Sequence, residues 1–168
     1  MSHRRPFGSV TAQDQTDAGS TRAAAVALLA RRDYATGELR ARLTDRGFAE
    51  EAVAAAITEL TREQLLDDAR YAHNYVAYHA GRGQGPIRIA AELRRHGVDA
   101  AAVDAALESG PDWRALARKV CRARFGAQPA SDWSQKARQA RFLQYRGFSS
   151  DHIRAAVGAD PDTGLADP

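Results

Sequence analysis

Arg114, Arg118 and Arg122 fall four residues apart. On a helix that spacing sets three guanidinium groups along one stripe, with Lys119 and Arg124 beside it. Planar guanidinium forks suit phosphate oxygens, so the stripe is a candidate grip for an anionic partner. Lys136, Arg138, Arg141 and Arg146 follow on the next predicted helix. Other chemistry is thin. Gly81-Arg82-Gly83-Gln84-Gly85-Pro86 is glycine-rich, but it follows a helix rather than a strand and lacks the lysine of a phosphate loop. It reads as an inter-helix hinge with Pro86 at the first position of the next helix, leaving Arg82 free to touch a phosphate. The five histidines (3, 73, 79, 96 and 152) show no metal-ligand spacing with one another or with the single Cys121. Asp67-Asp68 is the one tempting carboxylate pair. Its place at a helix start makes it a cap rather than an acid-base couple. No active site, metal or cofactor is expected.

The elements that carry these cations repeat. Leu43-Thr44-Asp45-Arg46-Gly47-Phe48, Leu93-Arg94-Arg95-His96-Gly97-Val98 and Leu143-Gln144-Tyr145-Arg146-Gly147-Phe148 set their glycines 50 residues apart. Val53, Val103 and Ile153 follow in register, then Ile57, Leu107 and Val157, which makes the pattern an internal repeat. Each glycine ends a helix in the left-handed conformation while the next apolar residue folds back onto that helix. Asp99 and Ser149 are good caps for the helix that follows, and Ala49 is a poor one. A further helix precedes each hairpin, over 21–33 with Val26, Leu29 and Tyr34 towards the core, over 68–80 and over 112–125. The expectation is an all-α chain of three three-helix repeats, 21–66, 67–110 and 111–158, forming an elongated, curved array. Residues 1–20 and 159–168 are expected to be disordered tails.

Composition supports helix throughout. Of 168 residues 36 are alanine, which fixes no rotamers on folding, and 22 of the 24 basic residues are arginine. Codon bias could explain the arginines, but not where their charge accumulates. The first two repeats carry net charges of 0 and −1. The third carries ten cations against three carboxylates, a net +7. No apolar run is long enough to span a bilayer, the start of the chain lacks a signal-peptide core, and one cysteine permits no internal disulfide. A cytoplasmic, monomeric chain is expected, with Cys121 reduced on a helix face or in the core.

Leu66-Asp67-Asp68-Ala69-Arg70-Tyr71-Ala72, Tyr75-Val76, Gly83-Gln84-Gly85-Pro86-Ile87-Arg88-Ile89 and Glu92-Leu93 resemble the central signature of the RecX regulators of the RecA recombinase. Arg138-Gln139-Ala140-Arg141-Phe142-Leu143-Gln144-Tyr145-Arg146-Gly147-Phe148 is similar to that family's C-terminal motif, and Asp112-Trp113-Arg114-Ala115-Leu116-Ala117 to the start of its third unit. The resemblance covers about residues 22–157. One departure is the arginine that many members place before the glycine-rich loop in a Tyr-Val-x-x-Arg pattern. Here the sequence reads Tyr78-His79-Ala80, and the nearest arginine is Arg82.

The resemblance implies a non-enzymatic partner of RecA that binds its filament on single-stranded DNA. It would limit filament extension, ATP hydrolysis, strand exchange and coprotease activity. On that reading the cations of the third repeat, with Arg82, Arg88, Arg94 and Arg95 of the second, face DNA phosphate or acidic protein surface. The rival readings are a tandem helix-turn-helix regulator of duplex DNA and an enzyme, such as a nuclease, with an unrecognised site. Helices opening with Glu50-Glu51-Ala52, Asp99-Ala100-Ala101 and Ser149-Ser150-Asp151 lack the polar base-reading side chains that major-groove recognition needs.

Overall fold

The computed structural model describes residues 16–158. Among them lie nine helices and no strand: α1 (Ala18–Leu29), α2 (Thr36–Thr44), α3 (Glu50–Arg62), α4 (Asp68–Gly81), α5 (Pro86–Arg95), α6 (Ala100–Glu108), α7 (Trp113–Phe125), α8 (Trp133–Tyr145) and α9 (Ser150–Val157). Helix α1 starts inside the segment expected to be a tail, because Asp17 caps it by accepting from the Ser20 amide at 2.7 Å. The rest of both expected tails lies outside the described residues.

The 50-residue register places the core. Leu43, Leu93 and Leu143 are each fully buried at the same point of their repeats, and Phe48, Val98 and Phe148 are buried five residues later. The glycines between them have φ of +89°, +82° and +90°. In the first and third repeats the stop is a Schellman pair: Phe48 donates to the Leu43 carbonyl at 3.3 Å, and Phe148 to that of Leu143 at 3.1 Å. Asp99 and Ser149 cap α6 and α9 as expected, whereas Ala49 provides no side-chain cap for α3.

By compactness the chain divides into two units, one running to Tyr71 and taking in His96–Val98, the other holding 72–95 and the chain from Asp99 onward. In the first, α1, α2 and α3 enclose Ala25, Leu28, Leu39, Leu43, Phe48, Val53, Ile57 and Leu60, with Tyr34 and Leu66. Here Val26 differs from its expected place. It is exposed, and Thr21, Ala25 and Leu28 form the buried face. In the second unit α7, α8 and α9 enclose Ala117, Cys121, Leu143, Phe148 and Val157.

The acidic pair at the start of α4 divides its work within the first unit. Asp67 accepts from the Arg70 amide at 2.9 Å and so caps its own helix. Asp68 instead accepts from the Thr36 amide at 2.7 Å, supplying α2 with the cap that Ala35 cannot give. Arg70 reaches back to the carbonyl of Gln64 at 3.3 Å, the one described non-glycine residue with positive φ. Tyr71, 8% exposed, holds the turn at His96 through its hydroxyl and Nδ1, 2.9 Å apart. Burial, with the Glu38 carboxylate nearby, pushes its phenol up to about 12. Beside it Gly97 approaches Gly37 so closely that a Cβ on either would sit 2.7 Å from the other's Cα.

The second unit repeats the device with backbone. Gly85 and Ile87, at the start of α5, donate to the carbonyls of Arg146 and Gly147 at 2.8 and 3.0 Å. Amides at one helix start are thus satisfied by carbonyls left over at another helix end. A Cβ on Gly85 would collide with the Gly147 carbonyl, and one on Gly147 with Arg88. The signature residues Asp67, Asp68, Arg70, Tyr71, Gly97 and Gly147 are therefore caps and close approaches. They hold the fold.

Candidate nucleic-acid interface

The third repeat positions its cations on two well-made helices. Asp112 opens α7 by accepting from the Ala115 amide at 2.9 Å, and that bond holds its carboxyl below the ordinary range. Asp132 opens α8 by accepting from the Gln135 amide at 2.8 Å. With both carboxylates engaged at helix starts, little acid remains to neutralise the arginines. Among the described residues Arg154 alone of the ten cations in this repeat has a carboxylate within 4.0 Å, that of Asp151. Arg114, Arg118, Arg122, Lys119, Arg124, Lys136, Arg138, Arg141 and Arg146 form no ion pair there.

These cations occupy more than one face. Arg118 and Arg122 flank a hollow of about 400 Å³ shared with Cys121, Gln139 and the end of α9. Lys119 follows Arg118 by about 100° around a helix of 3.6 residues per turn, and it turns to the other side. There Lys119 and Arg124 line a groove of about 370 Å³ with Arg82 and Arg146, so the stripe and its expected companions face different spaces. Arg114 is exposed one turn before Arg118, and on α8 Arg138 and Arg141 are exposed while Lys136 is half-buried. Arg138 and Arg124 lie over the Phe125 ring at 5.8 and 5.9 Å, and Arg146 over Phe142 at 5.3 Å. Such cation–aromatic contacts fix guanidinium planes without cancelling their charge.

The cations expected from the second repeat fare differently. Arg88 pairs with Glu92 at 3.1 Å and Arg94 with Asp104 at 3.7 Å, whereas Arg95 is exposed without an ion pair among the described residues. The Tyr75 hydroxyl also donates to Glu92, at 2.8 Å. Burial works against the Glu92 carboxylate, but the bonds from Tyr75 and Arg88 outweigh it and keep its pKa below the ordinary value. Arg82 is exposed and bonded to the Tyr78 hydroxyl at 2.8 Å, and Arg146 donates to the Arg82 carbonyl at 3.1 Å. Reasoning from sequence missed Tyr78, Val120 and Phe142 as neighbours of these cations. Aromatic and aliphatic residues at helical spacing carry no signal that separates a groove wall from the core.

Cys121 is buried against Gln139 Oε1 at 3.6 Å, and burial pushes its thiol up, away from nucleophilic character. Among the described residues no group of three His, Cys, Asp or Glu side chains is placed to hold a metal ion, and no helix is long and apolar enough to cross a membrane.

Known proteins share this succession of three-helix domains. Family models match the chain in series: RecX first three-helix domain over 22–60, second over 67–107 and third over 112–157. A regulatory protein RecX from Stenotrophomonas maltophilia (strain K279a) is 44% identical over 139 residues, 82% of this chain and 85% of its own length. Another from Halorhodospira halophila (strain DSM 244 / SL1) is 45% identical over 141 residues, 83% of this chain and 88% of its own. The crystal structure of RecX from Lactobacillus salivarius superposes with a TM-score of 0.72 over 88% of this chain and 97% of that one, at 23% identity. All three domain models and relatives this similar, both named as regulatory proteins, leave one conclusion: the chain belongs to the RecX family.

Proposed function

We propose that the chain is a negative regulator of RecA that binds the RecA filament on single-stranded DNA. It limits filament extension, and with it ATP hydrolysis, strand exchange and coprotease activity. The observation that supports this most is the concentration of unpaired arginine and lysine on the third repeat of a RecX-family chain. A net +7 over 48 residues favours a polyanion. On this reading the working units are the repeats 21–66, 67–110 and 111–158. Arg114, Arg118, Arg122, Arg138 and Arg141 face DNA, and the more neutral first repeat packs on recombinase. On this reading the chain acts in the cytoplasm, as a monomer and without a cofactor.

RecA ATPase on single-stranded DNA, with this protein added well below one copy per RecA subunit, tests the reading. Loss of hydrolysis at such ratios is expected and would favour capping of filament ends. Unchanged hydrolysis at excess, with DNA binding intact, would leave only a basic helical-repeat binder. Against duplex regulation, α3, α6 and α9 open on Glu50-Glu51, Ala100-Ala101 and Ser150-Asp151, acidic or alanine-rich starts that do not suit major-groove reading.

A further inference from the structure

The groove between the glycine loop and α7 combines two properties that phosphate binding alone does not require. Its rim is cationic, with Arg82, Lys119, Arg124 and Arg146, and no carboxylate lines it. Its floor is apolar, built from Leu116, Val120 and Phe142. A volume of about 370 Å³ is in the range of sites that take small organic groups. The rim is also held in place. Arg146 is fixed over Phe142 and on the Arg82 carbonyl, and Arg82 is bonded to Tyr78, whose ring is 60% exposed and 5.2 Å from its guanidinium. Gly83, with φ +78°, lets the loop lie against Val120: a Cβ there would be 3.0 Å from that side chain.

We propose that this groove receives one unpaired nucleotide of a single-stranded nucleic acid, its base against Val120 and the part of the Phe142 ring that Arg146 leaves open, and its flanking phosphates on the cationic rim. The inference rests on the reading that this repeat meets DNA, and it adds a selectivity that charge cannot supply. In a duplex the bases are paired and stacked, so a duplex offers the rim its phosphates but cannot place a base on the floor. An unpaired base can, and base–aromatic contact is tolerant of sequence because every base has a π-face.

The test is fluorescence anisotropy of the full chain with three oligomers of equal length: oligothymidylate, the same sugar-phosphate strand without bases, and a duplex. Oligothymidylate should bind about tenfold more tightly than the abasic strand. Phe142→Leu, which keeps the floor apolar but removes the ring, should reduce that preference while leaving abasic binding unchanged. Lys119→Ala at the exposed rim should weaken both strands alike. Equal affinity for base-bearing and abasic strands would overturn the groove assignment and leave the phosphate reading standing. Displacement of both strands by an acidic, Phe-containing peptide, again without a base preference, would instead make the groove a protein-docking surface. Failure to bind any of the three oligomers would overturn both readings.

Discussion

The first and third repeats spend arginine in opposite ways. Residues 21–66 hold seven arginines against seven carboxylates. Several of those arginines are matched: Arg22 lies 2.7 Å from Glu63 and 3.5 Å from Glu59, Arg32 grips Glu38 through two bonds, and Arg40 reaches Glu50 at 3.4 Å. Residues 111–158 use two of their three carboxylates as helix caps and leave nine cations unmatched among the described residues. The residue type is the same and the physics differs. A matched surface pair contributes little stability and presents little field, whereas clustered unmatched cations raise the local potential and attract a polyanion.

The two repeats differ in their glycine turns as well, and this predicts the largest stability contrast. Gly147 is buried with Arg88 against its Cα, so Gly147→Ala must both strain a left-handed residue and displace backbone. A loss of more than about 3 kcal/mol is expected. Gly47 has the same φ but is exposed, and Gly47→Ala should cost only the conformational term of about 1–2 kcal/mol. Urea midpoints of the two variants check the ranking, and equal losses would break the comparison.

Acid should act more gently and on one side. Burial pushes both His79 and His152 below their ordinary pKa, and Arg114 near His152 adds to this. His152 Nδ1 also accepts from the Ser149 amide at 3.3 Å, a bond that protonation there would remove. A histidine held neutral in the fold stabilises above its unfolded pKa of about 6.5, and that contribution is lost as pH falls. Residues 21–66 contain no histidine. Hydrogen exchange between about pH 7 and 5, corrected for intrinsic rates, should therefore show protection falling in α4 and α9 more than in α3. His152→Gln, which preserves the capping-box chemistry without the titration, should reduce the loss in α9.

Smallest of all should be removal of the first repeat's ion pairs. Arg32→Ala, which breaks a two-bond pair and a stacking 3.7 Å from the Tyr34 ring, is expected to cost about 1 kcal/mol. Arg40→Ala, which breaks one long and exposed pair, should cost under about 0.5 kcal/mol. Thermal unfolding of the two variants orders them.

Much of the fold is legible in the sequence because it obeys local rules. A glycine after a helical run, an Asp or Ser before one and a leucine at every fiftieth position each announce themselves within a few residues. What stays hidden is set by packing between distant segments. Asp68 reads as a cap for the helix it begins, yet it caps α2, 32 residues earlier. In α1 five of the eight apolar residues are alanine, so its buried side has little sequence contrast, and Val26 reads as part of a core that it leaves to Ala25 and Leu28. The charge of the third repeat is plain from counting. Its division between the Arg118–Arg122 face and the groove of Lys119 and Arg124 depends on which helices α7 packs against.

The most direct test of the central claim is the salt dependence of single-stranded DNA binding for two triple variants. Replacing Arg118, Arg122 and Arg138 with Ala should lower the slope of log affinity against log salt by about 2, at roughly 0.7 for each phosphate no longer neutralised. Replacing Arg22, Arg32 and Arg40 with Ala removes the same formal charge and should leave that slope nearly unchanged. Equal slopes for the two variants would show that net charge, not the unmatched cations of the third repeat, governs binding, and would contradict the account.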